Sequence, residues 1–368
     1  MTPGPRLTPI RQALDSIDPA LGAFITVDED AALRQAREAA EGRLHGLTVA
    51  VKDLIEVAGL RTTYGSARYI DHVSEHTAPV VSSLVEQGAV VVGKTNLNEF
   101  AFGVSGFNPT FGPILCPDDR TRTAGGSSGG SAVAVAAGNC DLALGTDTSG
   151  SVRIPAACLG VWGFKLAPHV PLAGIWPLAP SFDSLGYLAR EPGVIEHVMG
   201  FDLDGAAPAA SIRVGYAGHD LQLPPLPPEH WVRFRHEAWA VHRAAFESDP
   251  DSYGKDLQVK LGRVRGDLGM AEPVMAEWRG HYRSLRNRFD VIVDTVFDGP
   301  APLLESVLRD YAQDTFIESD RLLEKTPIAN ALGWPALVFP TSAGPRQVMG
   351  PPGTEPALFS VARRLSRG

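Results

Sequence analysis

Two stretches rich in glycine and serine contain the residues of this sequence that are best suited to nucleophilic chemistry. The first reads Gly-Gly-Ser-Ser-Gly-Gly from Gly125 to Gly130, and the second reads Gly-Thr-Asp-Thr-Ser-Gly-Ser from Gly145 to Ser151. Glycine allows a backbone to approach a ligand closely, and consecutive N–H groups in such turns form concavities that bind anions. A serine hydroxyl becomes a nucleophile only when a neighbouring group accepts its proton. The rest of the sequence must therefore supply a base.

A lysine at the end of a predicted strand is the first candidate for that base. Lys52 follows the β-rich run from Leu47 to Val51, and Leu54 comes soon after it. These apolar neighbours predict that Lys52 is buried, and burial lowers the pKa of a lysine because it disfavours the charged form. A neutral amine beside a serine hydroxyl is a competent general base. Lys94, which follows a second predicted buried strand at 89–93, is a rival candidate.

Two other interpretations of the first stretch are weaker. Gly126 to Gly130 match the Gly-x-Ser-x-Gly nucleophile elbow of α/β-hydrolases, which needs a strand directly before it and a histidine later. Residues 117–123 read Pro-Asp-Asp-Arg-Thr-Arg-Thr, which would make a poor buried strand. A flexible Gly/Ser linker is disfavoured because an apolar run at 132–137 follows the glycines. We therefore interpret both stretches as parts of a folded site.

Three motifs, in the same order along the chain, resemble those of the amidase signature family. The two serine-rich stretches resemble its Gly-Gly-Ser-Ser-Gly-Gly motif and its Gly-Thr-Asp-Thr-Gly-Gly-Ser motif, the second continuing here as Val-Arg-Ile-Pro to Pro155. Val-Ala-Val-Lys-Asp, from Val49 to Asp53, resembles the segment that carries the lysine of this family. Ser149 stands where relatives commonly have glycine. The resemblance is strong from about residue 24 to residue 190 and weaker beyond.

The resemblance implies the catalytic residues of the Ser–cis-Ser–Lys amidohydrolases. Ser151 would be the nucleophile, Ser127 a bridging serine held after a cis peptide bond, and Lys52 the base. Lys94 would then be structural, and Asp147 and Arg153 would form a buried ion pair that supports the loop. The backbone N–H groups of Thr148 to Ser151 would stabilise the oxyanion. The implied oxyanion-binding and substrate-binding positions are Thr148, Ser149, Gly150, Gly126 and Ala101. This scheme uses no metal ion and no organic cofactor.

The activity implied by the resemblance is hydrolysis of a carboxamide C–N bond through an acyl-enzyme. Three alternatives stay open: the glutaminase subunit of a tRNA-dependent amidotransferase, an acyltransferase or esterase of a biosynthetic pathway, and a non-catalytic binding relative. We expect a small-molecule amide as the substrate, although the sequence does not indicate which one. A homodimer is compatible with the sequence but is not required by it.

The implied fold is an α/β amidase signature fold with a large mixed, twisted β-sheet covered by helices on both faces. We expect one amidase domain over residues 1–368, with a signature core at about 45–190 and a shortened, more divergent C-terminal half at about 191–368. Apolar periodicity predicts helices and β-rich runs that agree with this fold. The predicted helices lie at about 11–17, 77–87 and 229–246, and the strands at 24–27, 47–51, 89–93 and 212–215.

The composition is that of an ordinary globular enzyme. The 368 residues are 44% hydrophobic and 20% charged, which is typical of soluble domains. A net charge of −9 argues against electrostatic binding of nucleic acid, and no basic run or long apolar stretch indicates a membrane. Three scattered cysteines do not suggest a disulfide framework. Because the N-terminus lacks the apolar core of a signal peptide, we expect a cytoplasmic protein.

Overall fold

The strands of this protein form one large sheet and one small pair. The structure, a computed structural model, describes residues 7–168, 170–201, 211–263 and 266–367. The strands within these residues are β1 (Phe24–Thr26), β2 (Thr48–Lys52), β3 (Val90–Thr95), β4 (Phe107–Asn108), β5 (Gly112–Pro113), β6 (Leu142–Thr146), β7 (Trp162–Lys165), β8 (Leu185–Ala189), β9 (Val214–Tyr216), β10 (Val291–Thr295), β11 (Ala336–Phe339) and β12 (Arg346–Met349). The large sheet has the order β1-β3-β2-β6-β8-β7-β11-β12-β10-β9, and β4 pairs with β5.

The α-helices alternate with these strands in the first half of the chain and dominate much of the second half. The helices within the described residues are α1 (Leu7–Asp15), α2 (Glu29–Glu38), α3 (Pro79–Glu86), α4 (Gly129–Ala136), α5 (Arg153–Leu159), α6 (Pro192–Met199), α7 (Glu229–Ser248), α8 (Lys255–Leu261), α9 (Leu268–Leu285), α10 (Leu304–Gln313), α11 (Ile317–Leu322), α12 (Pro327–Leu332) and α13 (Glu355–Ser366). None of them is both long enough and apolar enough to cross a membrane.

The sheet is mixed, as predicted. Strand β2 runs parallel to both of its neighbours, β3 and β6. From β6 to β10, the strands β6, β8, β7, β11, β12 and β10 each run antiparallel to the next one in this order. Parallel strands require crossover connections, which usually contain helices, and here α3 and α4 lie in the connections that lead to β3 and β6. The carboxyl ends of β2, β3 and β6 therefore meet at one edge of the sheet.

Side chains of the central strands point alternately to the two faces of the sheet, and each face has its own hydrophobic core. Val49 and Val51 of β2 pack in one core with residues of α3, α6 and α13. Ala50, between them, belongs to a second core with residues of α1, α2, α4 and α5. Successive side chains of a strand point to opposite faces, and a parallel strand that is covered on both sides must be apolar throughout. This arrangement confirms the predicted helices on both faces.

The C-terminal half packs onto the core close to the serine-rich loops. Helices α7 and α8 share a third core with Phe100, Ala101 and Leu178. Helix α9 shares a fourth core with residues of β10, α12 and β12. Helices α7 and α8 are thereby placed against Ala101.

Most predicted elements are present, with boundaries that differ by a few residues. The helix predicted at 11–17 is α1, which begins and ends earlier, and the strand predicted at 212–215 is β9. Most of the apolar run at 132–137 lies in α4, which begins three residues before that run, at Gly129, and ends at Ala136. A side chain at Gly130 would collide with the backbone of Ala23 and Asn96. The glycines therefore belong to the helix, because only they allow it to pack this closely.

Candidate active site

Lys52 occupies the end of β2 and is completely buried. Its Nζ donates hydrogen bonds to Ser127 Oγ at 2.8 Å, to Ser128 Oγ at 3.0 Å and to Thr146 Oγ1 at 2.8 Å. Burial lowers the pKa of Lys52 to about 7, although the more distant charges of Asp147 and Asp183 oppose this shift. At neutral pH a substantial fraction of this amine is uncharged, and it can then accept a proton.

Ser127 lies in the loop that leads into α4. The peptide bond between Gly126 and Ser127 is cis, which is the geometry that the sequence resemblance implied. A side chain at Gly126 would collide with Asn98 Oδ1, so glycine is required at this position. The N–H of the next residue, Ser128, donates to the carbonyl oxygen of Ser151 at 3.0 Å. The two serine-rich loops are thus joined directly, with Lys52 beside the first of them.

Asp147 organises the loop that carries Ser151. Its carboxylate accepts the N–H groups of Gly150 at 2.9 Å and of Val152 at 3.1 Å, and it forms a completely buried ion pair with Arg153 at 2.9 Å. Burial raises the pKa of Asp147, but the charge and hydrogen bonds of Arg153 outweigh this and hold it at about 2. The ion pair predicted from the sequence is therefore present, and it supports the turn.

Residues from the C-terminal half hold the other side of this ion pair. Arg153 also donates to Asn330 Oδ1 at 2.6 Å and to Gln347 Oε1 at 3.1 Å. The amide group of Asn330 in turn donates to both the carbonyl oxygen and the carboxylate of Asp147. A buried charge pair is stable only when its remaining donors and acceptors are satisfied. Asn330 and Gln347 supply these hydrogen bonds. The sequence motifs did not indicate that either residue belongs to the site.

The amides available to an oxyanion are fewer than the sequence suggested. The prediction included Gly150, but its N–H is already bonded to Asp147. No backbone hydrogen bond within the described residues uses the N–H groups of Thr148, Ser149 or Ser151. Gly150 instead has a backbone role, because its φ of +127° is unfavourable for other residues and a side chain there would collide with Thr326. The candidate oxyanion donors are therefore three amides rather than four.

Ser151 borders a cavity of about 420 Å³, together with Thr148, Ser149 and Ala101. Ala101 lies in the wall of this cavity with a φ of +59°. The hydroxyl of Ser149 is buried and has no hydrogen-bond partner among the described residues. No histidine of the described chain lines this cavity. The remaining wall is formed mainly by aromatic, aliphatic and charged side chains of α7, α8 and α11 and of the segment after Ala101.

Lys94 and Asp53 form a neighbouring polar site that is separate from the serines. Lys94 Nζ lies 3.0 Å from Asp53 Oδ1 and 2.6 Å from Thr62 Oγ1, and both members of the ion pair are completely buried. The second carboxylate oxygen of Asp53 accepts the N–H and the hydroxyl of Thr63. Asp53 is thus a structural hydrogen-bonding residue, and the amine of Lys94 is bound to its carboxylate.

The structure brings Lys52 and Ser127 into direct contact and places Ser151 in the adjoining loop. It also adds Thr146 and Ser128 to the surroundings of Lys52, which the sequence analysis did not assign. One signal could have identified Thr146: it ends β6, and the ends of neighbouring parallel strands β2 and β6 meet at the same edge. No cluster of three or more metal-ligating side chains occurs among the described residues.

Comparison with known protein families gives one match over more than half of the chain. A family model described as Amidase matches residues 7–199. A glutamyl-tRNA(Gln) amidotransferase subunit from Sulfurisphaera tokodaii is 41% identical over 184 residues, which are 49% of this chain and 39% of the relative. Its counterpart in Carboxydothermus hydrogenoformans is 43% identical over 186 residues, 48% of this chain and 38% of the relative. The aligned part of this chain thus spans only about two-fifths of these curated relatives.

Solved structures match over almost the whole chain. A crystal structure described as an amidase has a TM-score of 0.81 at 28% identity and covers 98% of this chain and 96% of its own. The structure of 6-aminohexanoate cyclic dimer hydrolase with its substrate has a TM-score of 0.81 at 21% identity, covering 98% and 93%. At that identity the second likeness concerns the fold alone. The fold similarity therefore extends into the C-terminal half, beyond the region matched by the family model.

Proposed function

Because this chain belongs to the amidase family, we propose that it is an amidohydrolase that cleaves a carboxamide C–N bond through an acyl-enzyme at Ser151. The observation that carries this proposal is the hydrogen bond of 2.8 Å between the buried amine of Lys52 and the hydroxyl of Ser127. A lysine whose pKa is lowered to about 7 by burial can act as a base near neutral pH. The adjoining loop presents Ser151 to the cavity.

The first half of the proposed reaction forms the acyl-enzyme. Ser151 Oγ bonds to the carbonyl carbon while its proton passes to Ser127 Oγ, and the proton of Ser127 passes to neutral Lys52. The C–N bond then breaks, and the departing amine receives a proton from Ser127, which regains one from Lys52. A serine between base and substrate can serve both the nucleophile and the leaving group, although these lie on different sides of the reacting carbon.

The carbonyl oxygen becomes negatively charged in this step. We assign its stabilisation to the N–H groups of Thr148, Ser149 and Ser151, since the N–H of Gly150 is bonded to Asp147. Donors that are already oriented cost no reorganisation during the reaction, and each is typically worth about 3 kcal/mol. The buried pair of Asp147 and Arg153 would keep these donors oriented. Water then attacks the ester carbon, and the same relay returns the enzyme to its starting state.

A second candidate is the glutaminase subunit of a tRNA-dependent amidotransferase. It is favoured by the names of the curated relatives, which are components of amidotransferases. The sequence alignments with these relatives cover only about half of this chain, whereas the C-terminal half contributes much of the cavity wall. A glutaminase would release ammonia from free glutamine, so an assay with glutamine and with unrelated primary amides separates the two candidates.

Labelling with a fluorophosphonate, followed by peptide mass spectrometry, tests the proposed nucleophile. We expect one phosphonylated serine, Ser151, and no labelling of the Ser151→Ala variant. Ser127→Ala should be labelled more slowly, because the relay is interrupted while Ser151 remains present. Labelling of Ser128 instead, or undiminished amide hydrolysis by Ser151→Ala, would disprove the assignment. An unlabelled wild-type protein that hydrolyses no amide would favour the non-catalytic alternative.

A further inference from the structure

The cavity beside Ser151 has a strongly basic part contributed by the C-terminal half. Arg235 of α7, Lys260 of α8 and Arg263, two residues after α8, all line it. Among the described lining residues only one, Asp320, is acidic. A concave surface with an excess of one charge concentrates the field and attracts ligands of the opposite charge. These three cations differ in how far other groups of the protein neutralise them.

Lys260 is neutralised within the protein. Its Nζ donates to the carbonyl oxygen of Phe102 at 2.6 Å and lies 3.0 Å from the Asp256 carboxylate. It also lies 5.6 Å from the centre of the Phe102 ring. Lys260 therefore holds the segment after Ala101 in place, and its charge is largely committed to groups of the protein.

Arg235 and Arg263 differ from Lys260 in this respect. In the part of the chain that the structure describes, neither of them forms an ion pair with a carboxylate. The Nε of Arg235 is buried and has no hydrogen-bond partner there. Arg263 stacks its guanidinium group over the ring of Phe316 at 4.8 Å, a contact that leaves the N–H groups at its edge free of the ring.

The two guanidinium groups also act on each other. Burial, and then the charge of Arg263, lowers the pKa of Arg235. An arginine nevertheless stays charged in proteins, so two cations line one cavity without a paired carboxylate among the described residues. Arg235 is half-buried and Arg263 is exposed, so both charges are accessible to a ligand that enters the cavity, and a carboxylate there would be attracted by both. Planar guanidinium groups bind carboxylates through paired hydrogen bonds.

Apolar side chains make up much of the rest of the wall. Phe102, Val104 and Leu178 come from the core half of the chain, and Trp231 and Phe234 come from α7. A methylene or aromatic spacer would be favourable against such a surface, because its burial removes apolar area from water. The cavity thus combines Ser151, an apolar wall and two guanidinium groups that have no ion-pair partner among the described residues. The one acidic lining residue, Asp320, lies within the electrostatic influence of Arg263 and Lys260.

We propose that this cavity selects amides that carry a carboxylate group separated from the scissile bond by a short apolar spacer, with Arg235 and Arg263 binding the carboxylate. That the ligand contains a scissile amide rests on the proposed amidase function. That the two arginines bind a carboxylate does not rest on it. The carboxylate could belong to the acyl group, as in a monoamide of a dicarboxylic acid, or to the amine, as in an N-acyl amino acid. Both place the same charge away from the reacting carbon.

Calorimetric titration of the Ser151→Ala variant tests the inference without turnover. The three ligands are adipic acid monoamide, N-pentanoylglycine and neutral hexanamide. We expect at least one of the two acids to bind about tenfold or more tightly than hexanamide, as expected for hydrogen bonds to a charged group. Whichever acid binds more tightly identifies the side of the scissile bond on which the carboxylate lies.

Replacing both arginines, as Arg235→Gln with Arg263→Gln, should abolish this preference and leave the binding of hexanamide unchanged. If the double variant does not fold, Arg235→Gln alone should reduce the preference severalfold. Arg233→Gln is the matched control, since Arg233 lies on the same helix but is paired with Glu272 at 2.8 Å. The control should keep the full preference for the acid.

Equal binding of acids and hexanamide, or a preference that survives both replacements, would overturn the inference. That result would leave the proposed amidase function intact if fluorophosphonate still labels Ser151 in the parent protein. Conversely, arginine-dependent binding of the acids without any acylation of Ser151 would support the carboxylate site and contradict the proposed catalytic function. The experiments therefore distinguish failure of the carboxylate site from failure of the proposed amidase function.

Discussion

Two buried lysines stand on neighbouring parallel strands and have opposite surroundings. Lys52 ends β2 and Lys94 lies in β3, and both side chains are completely inaccessible to solvent. Lys94 lies 3.0 Å from the Asp53 carboxylate. Lys52 is surrounded by three hydroxyl groups, those of Ser127, Ser128 and Thr146. Lys52 and Lys94 are the same residue type and are equally buried, so they differ only in the groups to which their amines are hydrogen-bonded.

The partners determine what each amine can do. Burial lowers the pKa of both lysines, but the adjacent Asp53 carboxylate opposes this at Lys94. A carboxylate stabilises only the charged ammonium, whereas a hydroxyl can donate to a neutral amine or accept from a charged one. The Lys52 site therefore allows proton exchange, and the Lys94 site favours a fixed ion pair. Burial alone would not have distinguished a base from a structural cation.

Replacement of Lys52 should give the largest effect. In Lys52→Met the base is lost while the volume is nearly kept, and we expect kcat/KM to fall about 10³-fold, within the range for general acid–base catalysis. Ammonia release from a primary amide measures this. Turnover above one tenth of the wild-type rate would show that another group acts as the base.

Replacement of Lys94 should instead affect stability. Lys94→Met leaves the Asp53 charge buried without its partner, which typically costs about 3–5 kcal/mol. Urea unfolding measures the loss, and turnover per folded molecule should stay close to that of wild type. The double variant Asp53→Asn with Lys94→Met is the control and should recover much of the lost stability. An inactive but fully stable Lys94→Met protein would reverse the roles that we assign to the two lysines.

The pH dependence of wild-type activity should reflect Lys52. Its amine must be neutral to accept a proton, and its pKa is about 7. The neutral fraction therefore falls about tenfold for each pH unit below this value. We expect kcat/KM to rise with pH up to about 7 and to level off above it. A flat profile across this pH range would be inconsistent with Lys52 as the base.

Removal of one hydroxyl beside Lys52 should produce a smaller change. Thr146→Val keeps the shape of the side chain but removes an acceptor that favours the ammonium form, so the pKa of Lys52 should fall. Because a weaker base accepts the proton less readily, we expect kcat on the plateau above the midpoint to decrease about tenfold, KM to stay constant, and the midpoint of the pH profile to shift to lower pH. Ser131→Ala is the control, because Ser131 bonds to Thr95 and to the carbonyl of Leu144 instead. An unchanged midpoint in Thr146→Val would mean that this hydroxyl does not tune Lys52.

Replacement of Ser149, which lines the cavity, should have the smallest effect on activity. Ser149→Ala removes a buried hydroxyl that has no partner among the described residues, so its loss should leave stability equal or raise it by about 1 kcal/mol. Because the proposed oxyanion donor of Ser149 is its backbone N–H, kcat/KM should change less than about threefold. Inactivity equal to that of Ser151→Ala would mean that the Ser149 hydroxyl takes part in the reaction.

Local sequence patterns determined a large part of this fold. The β-rich run from Leu47 to Val51 predicted a strand, and its residues Val49, Ala50 and Val51 enter two different cores. The glycine-rich loops and the burial of Lys52 were also predictable, because each depends on neighbours only a few residues away. The start of α4 at Gly129 was not, because its reason is a close contact with the backbone of Ala23 and Asn96.

The contacts between residues that are far apart in the sequence were determined only by the tertiary structure. Lys52 and Ser127 are 75 positions apart, and Arg153 and Asn330 are 177 positions apart, so their contacts depend on the order of strands in the sheet. The same holds for the basic part of the cavity. Arg233 and Arg235 look equivalent in the sequence of one helix, yet the first pairs with Glu272 and the second lines the cavity. A side chain's direction and partners come from the elements packed around it, and the local sequence does not contain them.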